Sequence, residues 1–164
     1  MAKRKISKQR EKKLDRYYTI AKGFLLATPF IAYLYVSLLA SSRQITLPEV
    51  LASEPSVAVM FLLAMINPYV AYLLNIAQKK LKEGEIKFAC LNFVLLLIGE
   101  AITLNSLYFM MIAFVFYQTV KAYDLKVIKT IKTFSAKSLF TYGGGSFMVV
   151  ALAVLCLTAT LRLM

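Results

Sequence analysis

Long apolar runs separated by short Lys-rich segments are the feature that most limits what this chain can fold into. The runs cover residues 18–40, 57–77, 88–120 and 139–161. A helix of about 20 mostly apolar residues crosses the hydrocarbon core of a bilayer. The chain has 164 residues, 60% of them hydrophobic, and a mean hydropathy of +0.68. A soluble domain is roughly 45–50% apolar, and a chain this small has too little interior to hide the excess. Lipid is the simplest solvent for it. The expected fold is all-α, a multi-pass transmembrane helix bundle.

The run 88–120 is too long for one crossing, since a helix of that length reaches about 50 Å against a core of about 30 Å. Asn105 and Ser106 stand at its middle and mark the break. The sequence thus predicts five helices, at about 18–40, 57–77, 88–104, 107–120 and 139–161, in a single bundle spanning 18–164. The segments on either side of 88–120 are both Lys-rich, which puts both on the cytoplasmic side. The stretch between them therefore crosses twice or folds back as a re-entrant hairpin, which is tolerated where protein buries it.

Charge sets the sidedness. All the Lys and Arg residues except Arg43 and Arg162 fall in the N-terminal segment through Lys22, in 79–87 or in 121–137. The positive-inside rule then places the N-terminus in the cytoplasm and the C-terminus outside. Residues 1–17 read as a basic cytoplasmic arm, lying beside an anionic inner leaflet that attracts each Lys or Arg by about 1 kcal/mol. The net charge of +12 could suggest nucleic acid, but its placement between apolar runs argues against that partner. Ala40-Ser41-Ser42 resembles a signal-peptidase site, yet the preceding run exceeds an ordinary signal core, so an uncleaved anchor is expected. The composition fits a bacterial plasma membrane.

Residues 122–138 alternate an apolar face, Leu125, Val127, Ile128, Ile131 and Phe134, with a basic one, Lys126, Lys129 and Lys132. That is the pattern of an interfacial helix lying on the membrane. Gly143-Gly144-Gly145 is expected to loosen the start of the last helix. Between 41 and 56, Pro48 and Pro55 are expected to keep the chain in a polar loop.

Chemistry-bearing groups are few. The chain has no His, the commonest general base and metal ligand, and Cys90 and Cys156 lie apart within apolar runs. No nucleophile elbow, zinc-protease motif or phosphate loop is present. No catalytic residue, cofactor or metal is expected. Glu100 is the most informative residue, because ionisable groups inside a membrane are costly and by default functional. Asn92, Gly99 and Thr103 share a stripe of the same helix with Glu100 at its border. Asn67 and Asn75 share a face of the second run, which also carries Pro68. Glu100, Asn92, Thr103, Asn67 and Asn75 form the candidate intramembrane polar site. Each also has a structural reading, as a hydrogen-bonded packing group between helices.

These features favour a non-enzymatic membrane protein that acts through another integral membrane protein, as an accessory subunit, assembly factor or immunity-type protein. A small oligomeric transporter or ion-conducting protein using Glu100 is the alternative. Expected partners are membrane lipid and a second membrane protein or further copies of the chain.

Overall fold

The computed structural model describes the backbone of residues 8–103, 106–125 and 136–162, and the side chains of these except 8 and 136–143. The described residues are all helix and connecting turns, with six helices and no strand. They are α1 (Lys8–Arg43), α2 (Leu47–Ser53), α3 (Pro55–Lys82), α4 (Ile86–Ile102), α5 (Ser106–Tyr123) and α6 (Ala136–Arg162). Three of them, α1, α3 and α6, are long and apolar enough to cross a membrane. The basic face Lys126, Lys129 and Lys132, and most of the expected interfacial segment, lie outside the described residues.

α1 starts ten residues before the first apolar run, so the second half of the basic arm is already helical. Its residues are good helix formers, and Leu14 is buried against the bundle. The packed stripe continues through Tyr18, Ala21, Leu25, Thr28, Ala32, Val36 and Ala40, at the three- and four-residue spacing of one helix face. Small residues recur along it, as expected where lipid is as apolar as the side chains and close backbone packing drives association.

The segment between α1 and α3 departs from the expected loop. Pro48 sits in the first turn of α2 and Pro55 opens α3, positions where a missing N–H costs nothing. The Thr46 N–H donates to Glu49 Oε2 at 2.6 Å, half of a capping box. That accepted bond holds the exposed Glu49 carboxyl below its ordinary range. An Arg43–Glu54 ion pair closes the segment, and Val50 packs with Val36, Ala40 and Val57.

The triple glycine does not interrupt α6, which runs unbroken through it. A Cβ at Gly145 would lie 2.7 Å from Leu73 Cδ2 and 3.0 Å from the Tyr69 hydroxyl. Glycine is there because α6 lies close against α3, and that contact offsets its poor helix propensity.

Contacts fix the directions of the helices. Lys22 meets Asn75 while Val36 and Ala40 meet Val57, so α1 and α3 are antiparallel. Tyr18 meets Thr119 and Thr28 meets Tyr108, so α1 and α5 are antiparallel. Ser146 meets Asn92 and Val149 meets Gly99, so α4 and α6 are parallel. The α4–α5 pair is shorter than its neighbours. With Tyr108 level with Thr28, the start of α5 stops roughly 20 Å short of the Arg43 end of α1. Beyond that level α1 is covered mainly by α3, and Phe30, Ile31, Leu34 and Leu38 are exposed by 60% or more.

Candidate functional site

The five residues of the expected polar site divide among three places. Asn75 lies at the end of the bundle that carries the basic arm. Lys22 Nζ donates to Asn75 Oδ1 at 2.8 Å and to Gln78 Oε1 at 2.9 Å. Gln78 Nε2 donates to Asp15 at 2.7 Å, and Lys82 pairs with Asp15 at 2.8 Å. Lys22 is thus tied into a network joining α1 to α3. Asp15 and Gln78 drew no attention in the sequence because both stand outside the apolar runs.

Asn92 is the second place. Ser146 Oγ donates to Asn92 Oδ1 at 2.6 Å, and Asn92 Nδ2 donates to the Phe88 carbonyl at 2.9 Å. Both residues are buried. This is a completed pair between α4 and α6, and Ser146 is the partner that the sequence reading passed over. Its only signal was position, one residue beyond the glycines that let α6 approach.

The third place gathers Glu100, Thr103 and Asn67 around a small cleft between α3, α4 and α6. Leu63, Val149 and Ala153 supply apolar wall, and Gly99 packs beside Glu100 with its Cα facing Val149. The cleft has about 10 Å³ of free space, room for about one water molecule. Thr103 Oγ1 donates to the Glu100 carbonyl at 3.0 Å, a local bond at the end of α4. Glu100 and Asn67 are each only 4% exposed. Among the described residues, neither the Glu100 carboxyl nor the Asn67 amide has a hydrogen-bond partner. Among the described residues no polar side-chain atom is sealed off without a partner, so these groups border the cleft rather than being enclosed by protein.

Among the described residues lining the cleft, Glu100 is the one acid and no Lys or Arg is present. The described residues contain no group of three His, Cys, Asp or Glu side chains able to hold a metal ion. What the arrangement offers is a carboxyl and a carboxamide, both free to meet a donor, near the tip of the α4–α5 pair. Comparison with protein-family models, with characterised proteins and with solved structures gives no match for this chain.

Proposed function

We propose that this chain is a multi-pass membrane protein that acts without catalysis, by docking a helix of another integral membrane protein against the Glu100 cleft. The observation that carries the reading is the Glu100 carboxyl, nearly buried and without a hydrogen-bond partner among the described residues. A carboxyl left this way inside a membrane is costly, and a donor from a second protein relieves the cost. The cleft holds about one water, which suits a side-chain contact better than passage of a solute.

In this reading α1, α3 and α6 are complete crossings, with the N-terminus in the cytoplasm and the C-terminus outside. The α4–α5 pair enters from the inner face, and its shortness favours a hairpin that turns within the bundle over two further full crossings. The helix directions fit either form, because a hairpin and a double crossing both return the chain to the side it left. Beyond the hairpin tip, Phe30, Ile31, Leu34 and Leu38 leave an exposed apolar flank on α1, a further surface for a partner helix.

The test is purification from native membranes in mild detergent, with wild type and Glu100→Ala compared by mass spectrometry. A stoichiometric membrane partner that crosslinks to a photoreactive residue at Leu63, and is lost from Glu100→Ala, is expected. A homogeneous homo-oligomer without a partner would overturn the reading. Proton or cation conduction is the second reading, favoured by the same open carboxyl next to a water-sized space. Liposome flux that disappears in Glu100→Gln would establish it.

A further inference from the structure

A second cavity lies where the basic end of α1 meets the last turns of α5. It is about 360 Å³ and is lined by Arg10, Lys13, Leu14 and Tyr17 from α1 and by Gln118 and Lys121, with Ala122, from α5. That size falls within the roughly 300–1,000 Å³ of ligand clefts. The residues are not a chance scatter of surface charge. Positions 10, 13, 14 and 17 are one face of α1, and 118, 121 and 122 are one face of α5, by the three- and four-residue spacing of a helix.

Two contacts hold the walls together. Tyr18 and Thr119 hydroxyls are hydrogen-bonded at 3.0 Å in the buried seam behind the cavity. Tyr17 meets Phe114 edge to face, with ring centroids 5.3 Å apart. Arg10, Lys13 and Lys121 converge on this space, and among the described residues none of them is in an ion pair. No acid is among the residues lining the space. Asp15 is occupied by Lys82 and Gln78 on another side of α1, and Glu11 falls off the lining face. Three cations and the donors of Gln118 and Tyr17 thus stand over an apolar floor of Leu14 and Ala122, at the boundary between the basic arm and the apolar bundle.

We infer that this cavity is a binding site for the headgroup of an anionic phospholipid of the inner leaflet, with preference for a headgroup carrying two phosphates. The inference rests on the membrane-spanning reading above, and on the cytoplasmic placement of the arm. Lipid phosphates enter from the side, where the acyl chains stay in the bilayer and the phosphates reach the three cations. A basic pocket between helices on the cytoplasmic side suits such headgroups. The guanidinium of Arg10 can take one phosphate with two parallel bonds while the lysines act as point charges on the other. A single phosphate would leave two of the three cations uncompensated, which is the basis of the preference.

The experiment uses the full chain in detergent, titrated with cardiolipin, phosphatidylglycerol or phosphatidylcholine and read by native mass spectrometry. Cardiolipin is expected to be retained most strongly and phosphatidylcholine least. Lys13→Gln together with Lys121→Gln is expected to weaken cardiolipin retention by about thirtyfold, if each Lys contributes as surface lysines near anionic lipid do. Lys79→Gln with Lys80→Gln, which removes the same charge elsewhere, leaves retention unchanged. An equal loss from both double variants overturns the site, because attraction would then follow net charge alone. Displacement of cardiolipin by inorganic phosphate at equal concentration also overturns it, since the ligand would be a soluble anion. Flotation of each protein with phosphatidylcholine vesicles after alkaline washing separates the two proposals. Protein that stays with the vesicles but shows no preference for cardiolipin refutes the headgroup site alone, and protein that washes off refutes the spanning reading.

Discussion

Asn92 and Glu100 stand on the same helix, eight residues apart, both buried between α4 and its neighbours. Asn92 has its side-chain oxygen on Ser146 and its nitrogen on the Phe88 carbonyl. Glu100 borders a cleft, and its carboxyl has no hydrogen-bond partner among the described residues. One polar group is therefore spent on holding α4 to α6, and the other is left available. Where polar groups are expensive to bury, a completed pair has a structural explanation in its own chain. An open carboxyl has none among the described residues, and this is what the docking proposal rests on.

The largest effect should come from the residue that sets up the completed pair. Gly145→Leu places side-chain atoms where the ends of the Leu73 and Tyr69 side chains already stand, so these must swing aside or α6 must move away from α3. Overpacking of this kind costs about 1–3 kcal/mol, read as a lower midpoint in reversible detergent unfolding. An unchanged midpoint would mean that α6 is not held as closely as this contact requires.

Asn92→Leu comes next. It removes the acceptor of Ser146 and is expected to lower stability by about 1 kcal/mol, within the range of interhelical hydrogen bonds in membranes. The double variant Asn92→Leu with Ser146→Ala should lose less than the sum of the two single changes, because neither polar group is then left alone.

Glu100→Leu sharpens the contrast from the other side. With no hydrogen bond to lose among the described residues, the variant should be as stable as the wild type or more so, while the capture that the docking proposal expects fails. A stability loss matching that of Asn92→Leu would show that the two groups do the same work, and the comparison would collapse.

Glu49 gives the smallest effect and serves as a carboxyl control outside the membrane. The Thr46 N–H holds its carboxyl below the ordinary range. A depressed folded-state value means that its contribution is present above the unfolded-state value and is lost as pH falls through the folded one. Glu49→Gln should therefore narrow slightly the stability difference between neutral and strongly acidic solution. A wider difference would contradict the direction of the shift.

The class of the protein was legible in the residues. Apolar runs of crossing length and the placement of Lys and Arg are local properties, and three helices of that length and character are present. The break near Asn105 was legible too, since α4 ends at Ile102 and α5 begins at Ser106. Two local signals were misjudged. Thr46 and Glu49 spelled a capping box, yet the prolines around them suggested only a loop. The glycines of α6 suggested weakness, whereas a glycine face also permits close helix contact.

Which polar residues meet was beyond the sequence. Glu100, Asn67 and Thr103 could each be picked out as polar atoms in apolar runs, but their convergence depends on how α3 crosses α4. The assignment of Asn92 to Ser146, of Asn75 to Lys22, and of Arg10 and Lys13 to the same cavity as Lys121 depends likewise on helix order and vertical offset. Hydropathy carries no information on either, because lipid-facing and helix-facing apolar side chains are chemically alike. The sequence determined that this chain is helical and apolar enough for a membrane, and where its charges gather. Only the tertiary structure decided which polar groups complete one another and which are left open, because that outcome is set by contacts between residues distant along the chain.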